Sequence, residues 1–439
     1  VFTINLSSQP SDNITITVLS SDPGEGVLNT VVESKVTTFA GTGSYGNSDG
    51  LGLSASFNAP GKITSSGVKL YVADSGSNSI REVSLTSSHV NTIANGFNNP
   101  ADLIVSGLVL YVADKGSHKI KQVDLSTGTV SDLVGGGNPN HLDGIGTGAY
   151  FNSPTGITTD GINLYVADSA NHVIRKIIIS TGQVSTIAGQ VGTSGSSDGI
   201  GSNASFNGPE GLAIHGSVLY VSEKVGNRIR QIDLTKKEVS TLAGSGTQAS
   251  TDGIGLSASF NQPRGIVYHR GNLFVNDQYT IRRIIIENAI VNTVAGIGSS
   301  GQVDGVGKNA SFSRLEGITV VGNMLYTTDS LVAKVRQVAL NPIEFNSSNW
   351  NAPQTLRVIG KSDEFIDGDQ SYSVSLTPDY STSDLRFRSV DPPDVSLKNL
   401  DLSGKGGYYV SAVSRDTDEN GIKGFFTVSL KSAPTDNVT

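Results

Sequence analysis

The sequence predicts an all-β protein: a six-bladed β-propeller inserted into a β-sandwich, with a further sandwich module beginning at the C-terminus. Three observations predict it. A strand signal, LYVAD or a close variant, recurs six times at 70–74, 110–114, 164–168, 219–223, 273–277 and 325–329, with spacings of 40, 54, 55, 54 and 52. The last repeat lacks its fourth strand, and a strand of that type stands before the first repeat instead. The two flanks alternate apolar and polar residues with the period of 2 that marks half-buried strands, as in Ile14, Ile16 and Val18 or Leu356 and Val358. Composition agrees: 52 of 439 residues are glycine and 16% are charged, against roughly 7% and 25% in ordinary domains, which is the profile of a turn-rich β protein. At about 100–200 residues per domain the length allows two to four domains.

Taken in order, residues 1–34 read as the first part of the sandwich. Residues 35–340 are the propeller. Each repeat carries an apolar run containing glycine, a turn, the LYVAD strand, a polar loop, an IRxV strand and a fourth strand such as VSTIAGQ at 184–190. After KVRQVAL at 334–340 the fourth strand is absent, and VTTFAG at 36–41 is expected to supply it by pairing with 335–340. A strand donated from the opposite end closes a propeller ring and leaves no open seam. Residues 341–403 complete the sandwich, and residues 404–439 start the next module. Residues 1–15 and 425–439 align without gaps with eight identities in fifteen, so the chain ends as it began. The segment is expected to be excised from a longer chain, with copies running head to tail, because an incomplete sandwich offers an edge that a strand near 408–413 of a neighbouring copy can fill.

The repeats, YVADxxNxxIRxV followed by VxTxAG and DGxGxxAxFNxPxGI, resemble those of the NHL-repeat family of six-bladed propellers, especially the bacterial form. The DGxG segment is absent between the first two blades, where the spacing drops to 40. The resemblance implies the fold and no single activity, since such propellers include protein binders, RNA binders and a lyase. The flanks resemble Calx-β and other immunoglobulin-like repeats of large bacterial surface proteins. That resemblance implies an extracellular or cell-surface location in a bacterium.

Several classes are disfavoured by composition. With no cysteine, thiolate chemistry, disulfides and cysteine zinc sites are excluded. A net charge of −8 without a basic run disfavours nucleic acid as partner, and no apolar stretch approaches the roughly 18 residues of a membrane span.

The candidate residues fall in repeated columns. Asp49, Asp143, Asp198, Asp252 and Asp304 open the DGxG segments, and Asp74, Asp114, Asp168, Glu223, Asp277 and Asp329 end the LYVAD strands. Blade order brings both sets to one face, here termed the top. The DGxG aspartates have two roles open to them: binding a cation or cationic ligand, or satisfying backbone N–H groups of their own turn. A basic column, Arg81, Lys121, Arg175, Arg230, Arg282 and Arg336, points between blades and calls for a partner, for which the acid ending the preceding strand is the nearest candidate. The NHL-type lyase holds zinc with histidines near the axis. Here only His118 and His172 occupy the loops after the second strand, so a zinc-dependent lyase is the weakest reading. Calx-β modules bind calcium through acidic residues. The matching stretch holds Asp363, Glu364, Asp367 and Asp369, hard oxygens that would suit calcium as the one cofactor.

Three functions follow. The leading one is a noncatalytic structural or adhesive unit of a bacterial surface protein or filament, with itself as head-to-tail partner. The second is a glycan- or protein-binding propeller, and the third a zinc-dependent enzyme.

Overall fold

The computed structural model describes residues 34–340 throughout. In the flanks it describes the strands Phe2–Ile4, Ile14–Ser20, Gly26–Asn29, Ile343–Phe345, Gln354–Gly360, Gln370–Pro378, Val395–Leu400 and Gly407–Tyr409. Two units result, one of Ser34–Leu340 and one of Val1–Glu33 with Asn341–Thr439.

The first unit is a six-bladed β-propeller. Blade 3 shows the plan. Its strands Pro154–Thr159, Asn163–Asp168, Val173–Ile178 and Gln183–Ala188 run antiparallel from the axis outward. The first strands of all six blades stand side by side around the axis, each touching the next, and the sixth touches the first. Closure is made by Lys35–Ala40, which lies antiparallel to Lys334–Ala339 with Val36 opposite Val338 and Ala40 opposite Val335. The donated strand therefore completes blade 6, as the strand count required.

Side chains along each strand alternate faces, and the buried faces meet between blades. Six apolar clusters fill the six interfaces; that between blades 2 and 3 joins Ala113, Ile120 and Val134 to Ile157, Val166 and Val184 around Phe151.

The blades differ from the four-stranded expectation. In five of them the DGxG segment adds a short fifth strand on the outer edge, such as Gly144–Ile145 on Gln183–Ala188. Lys35–Ala40 is thus not outermost, because Gly305–Val306 covers it. The physical reason is that an uncovered fourth strand would expose unpaired backbone groups at the rim. Blade 2, formed by Pro100–Ser106, Val109–Asp114, Lys119–Asp124 and Val130–Val134, has four strands because the DGxG segment is absent there.

In the second unit, strands of both flanks share sheets. Gln354–Gly360 lies between Phe2–Ile4 and Gly26–Asn29. Ile343–Phe345, Ile14–Ser20, Gln370–Pro378, Val395–Leu400 and Gly407–Tyr409 form the other sheet in that order. The proposed calcium ligands Asp363, Glu364, Asp367 and Asp369 lie outside the described residues.

Candidate functional site

The repeated charges build one device five times. Arg175 is fully buried and lies over the Phe151 ring at 4.9 Å. Its Nη1 donates to Asp168 at 2.8 Å and to the Tyr150 carbonyl at 2.9 Å; its Nη2 donates to Asp143 at 2.7 Å and to the Leu142 carbonyl at 2.9 Å. Arg81, Arg230, Arg282 and Arg336 repeat both ion pairs and the aromatic contact. The expected partner, the acid ending the preceding strand, is therefore present, and the DGxG aspartate is a second one. Asp143 also accepts from the Thr186 amide and hydroxyl on the blade's fourth strand. The same strand holds Asp49, Asp198, Asp252 and Asp304 through Thr92, Thr241, Thr293 and Thr38. These aspartates do not cap the following turn, as one of their two expected roles had it. They tie the added outer strand to the buried arginine, with about half of each side chain still exposed.

The strand-ending acids are wholly buried, so they present nothing to a ligand on the top face. Burial pushes the Asp74 carboxyl up to about 6, against the opposing pull of the Asn58 amide and Arg81. It pushes Glu223 up to about 7. Blade 4 carries glutamate at this position, and one of its oxygens, Oε2, has no partner. In blades 2 and 3 the residue three further on, Ser117 or Asn171, donates to the second oxygen of the acid; in blade 4 it is Gly226.

Blade 2 omits the whole device. It has no DGxG aspartate, and its cation is Lys121, which reaches the rim to pair with Asp132 at 2.9 Å. Asp132 holds the fourth-strand position that Thr186 has in blade 3, so the cation draws its second carboxylate from the fourth strand and not from an added outer strand.

His118 and His172 serve packing. Each sits in the left-handed region after the second strand, with φ of 56° and 58°, and its Nδ1 accepts a backbone N–H of the next blade, from Ser153 at 3.0 Å and Gly208 at 3.3 Å. Asn78 and Asn227 do the same in blades 1 and 4. The two histidines are thus substitutes for asparagine. Among the described residues no three His, Asp or Glu side chains are grouped to hold a metal ion.

A second set of charges, outside the repeated columns, converges on the axis. In blades 3 to 6 the third residue of the first strand is Gly156, Gly211, Gly265 or Gly317, where a Cβ would lie within 2.6 Å of the backbone of the next blade. Blades 1 and 2 place Lys62 and Asp102 there instead. Buried Lys62 crosses the axis: its Nζ pairs with Asp102 at 3.4 Å and donates to the carbonyls of Thr155 in blade 3 and Glu210 in blade 4. Asp102 accepts the Leu103 and Ile157 amides. Beneath this pair is an axial cavity of about 170 Å³, lined by Ile63, Leu103, Ile157, Leu212, Ile266 and Ile318 among others.

At the same top end stand Glu210, Arg264 and Glu316 from first strands, Arg314 just before one, and Lys115 and Lys224 from the loops after second strands. Arg264 and Arg314 both hold Glu316, at 2.9 and 2.7 Å. Arg264 is buried with its Nε unpartnered. The side chains of Lys115, Lys224 and Glu210 make no hydrogen bond or close ion pair among the described residues. They nevertheless lie within one another's field. Burial alone would raise the Glu210 carboxyl, but Lys62, Lys224, Arg264 and Lys115 outweigh it and hold it below its ordinary value. Burial also pulls the Lys224 ammonium down, with Glu210 opposing and Arg264 and Lys115 adding to the fall. Five cations face three anions at this mouth, in a chain whose net charge is −8. Reading by repeated columns missed this cluster. The signal for it was the departure of Lys62 and Asp102 from a glycine column.

Human NHL repeat-containing protein 2 is 30% identical to this chain over 242 residues, covering 47% of the chain and 33% of that protein. The chain thus spans about a third of the length of this curated relative. No family model matches. Two structures from Bacteroides thetaiotaomicron share the fold: a protein described as of unknown function (TM-score 0.58, 22% identity) and an auxiliary nutrient binding protein (TM-score 0.56, 18% identity). Each match covers 70% of this chain and 76% of the other. Sequence and shape together support the NHL-repeat reading of the six-bladed propeller.

Proposed function

We propose that the chain is a noncatalytic binding unit of a bacterial surface or extracellular protein, whose ligand meets the propeller at the axial mouth. One observation carries the reading. The repeated charges satisfy one another inside the blades, whereas Lys115, Lys224 and Glu210, whose side chains make no hydrogen bond among the described residues, stand at the top end of the ring within one another's field. Fixed charges around a concave ring end suit recognition. The display context rests on the flanks. Their resemblance to immunoglobulin-like Calx-β repeats, and the eight identities between residues 1–15 and 425–439, support a sandwich stalk assembling head to tail. Calcium at Asp363, Glu364, Asp367 and Asp369 belongs to the same proposal.

The test uses the full chain. Immobilised protein is expected to retain a glycan, protein or small solute from bacterial envelope extract, saturably, and to lose it on Lys224→Met. Turnover of a lactone or of a lyase substrate that disappears with the same substitution would overturn the noncatalytic reading. Deleting residues 406–439 should abolish filaments seen by electron microscopy; unchanged filaments would refute the head-to-tail part alone.

A further inference from the structure

The outer edge of blade 2, independent of the axial mouth, lacks a strand that its five sister blades possess. Val130–Val134 is the last strand of its sheet, with no strand beyond it. In the other blades the equivalent strand is covered in one fixed register: Gly50, Gly144, Gly199, Gly253 and Gly305 lie opposite Val90, Val184, Val239, Val291 and Val36. Val130 holds that position in blade 2, because it lies opposite Val123 as Val184 lies opposite Ile177. The loss of cover shows residue by residue. The five covered valines are buried, whereas Val130 is half-buried; Thr186 and its four counterparts are half-buried, whereas Asp132 in their place is exposed.

The covered blades locate the bonding groups of this bare edge. The second glycine of each covering segment, with φ between 47° and 57°, donates its N–H to the carbonyl two residues before the valine, as Gly146 does to Gly182 at 3.0 Å. The segment's aspartate accepts the amide two residues after the valine, as Asp143 does from Thr186 at 3.1 Å. Backbone groups alternate sides along a strand, so the valine's own N–H and C=O face the same edge. In blade 2 the corresponding groups are the Gly128 carbonyl, both groups of Val130 and the Asp132 amide. A row of this kind is a template for pairing with another chain.

The occupant's chemistry follows from what differs. All five covering segments read Asp-Gly-aliphatic-Gly. In blade 2 the place of that aspartate is taken by the Asp132 carboxylate, which holds Lys119 at 2.6 Å and Lys121 at 2.9 Å. An incoming aspartate would meet a like charge there. Asparagine fits instead: its Oδ1 accepts the Asp132 N–H, and its Nδ2 donates to the Asp132 carboxylate, whose oxygens have lone pairs beyond those facing the lysines. We infer that the outer edge of blade 2 receives an extended segment of a partner polypeptide reading Asn-Gly-aliphatic-Gly, which pairs as a fifth strand with its first glycine opposite Val130.

The probe is a labelled synthetic peptide of residues 140–149 carrying Asp143→Asn, compared with the same peptide keeping Asp143, each titrated with the full chain and read by fluorescence anisotropy. The asparagine peptide should bind with a Kd of about 1 mM or below, at least threefold more tightly than the aspartate peptide. Val130→Pro, which removes one edge N–H and is of the kind an edge strand tolerates, should weaken binding at least fivefold. Asp132→Thr, which restores the residue of the other blades, should reverse the order of the two peptides. Should Val130→Pro unfold the ring, as judged by circular dichroism, hydrogen exchange on the unsubstituted chain takes its place: the asparagine peptide should slow exchange in 129–134 and leave 183–188 unchanged. The inference is overturned if neither peptide binds at millimolar concentration, if Val130→Pro folds and binds like the parent, if exchange in 129–134 is unaffected, or if Asp132→Thr leaves the order of the peptides as it was.

Discussion

Replacing Asp168 by asparagine isolates what holds a blade to its neighbour. The carboxylate is fully buried and accepts the Asn152 amide at 2.7 Å, Asn171 Nδ2 at 2.9 Å and Arg175 Nη1 at 2.8 Å. Asparagine keeps the volume but turns an NH2 toward these donors. The buried guanidinium then faces one acceptor fewer. Removing one member of a buried pair costs about 3–5 kcal/mol, so Asp168→Asn should lie in that range. Asp143 serves the same arginine, but its side chain is 47% exposed and water can take its place. Asp143→Asn should therefore cost only about 1 kcal/mol. Arg175→Met should fall between the two. It strands Asp168, but burial already raises that carboxyl, which can accept a proton, and methionine still packs on Phe151. Urea unfolding of the full chain at pH 7, followed by far-ultraviolet circular dichroism, reads the order through the shift in the propeller transition. Equal losses for Asp143→Asn and Asp168→Asn, or a larger loss for Arg175→Met than for Asp168→Asn, would refute the reasoning.

Three further outcomes follow from the same geometry. Lys121→Arg, which restores the repeated residue in blade 2, should destabilise by about 1 kcal/mol because the larger guanidinium loses the Lys121–Asp132 geometry and meets no outer-strand aspartate; thermal melts showing a gain would count against this account. Glu223 has a folded value of about 7 against 4.5 unfolded, so its stabilising contribution is full below pH 4.5 and is lost as pH rises through 7; whatever its offset from the parent, Glu223→Gln should lose less stability than the parent between pH 4.5 and 7, and parallel curves would count against the reasoning. Burial lowers the His172 value below 6.5, so its contribution is full above 6.5 and declines as pH falls below it; His172→Asn, the residue used in blades 1 and 4, should flatten the acid side of a midpoint-against-pH curve.

Much of the ring was legible because a propeller writes its architecture as a column of equal strands. The LYVAD signal gave the second strands, and the misplaced VTTFAG gave closure, since a strand missing at one end and surplus at the other has one economical use. The arginine column gave its first partner through period-2 alternation, which turns Arg230 to the same side as Ile232. Its second partner was not legible. Asp198 lies 32 residues before Arg230, and only the register of the outer strand Gly199–Ile200 on Glu238–Ala243 brings them together. The same applies to the histidines: nothing local to His118 or His172 says that Nδ1 will meet an amide 35 or 36 residues away.

The fate of blade 2 separates what the repeat needs from what the ring can spare. There the outer strand, its aspartate and the arginine are absent together, yet the blade keeps the strand-ending acid Asp114, whose oxygens go to the Asn98 amide and the Ser117 hydroxyl instead. The arginine and the outer strand are therefore absent together in blade 2 and present together in the other five, as fits an arginine whose second carboxylate the outer segment carries. The strand-ending acid is a separate unit, required wherever the loop after the second strand must be fastened to the loop before the first. Once both are assigned to architecture, a charged residue that breaks a glycine column stands out. Lys62 and Asp102 forgo the close backbone contact that Gly156, Gly211, Gly265 and Gly317 allow, and blades 1 and 2 can accept this because Asp102 bonds the Ile157 amide across the resulting gap.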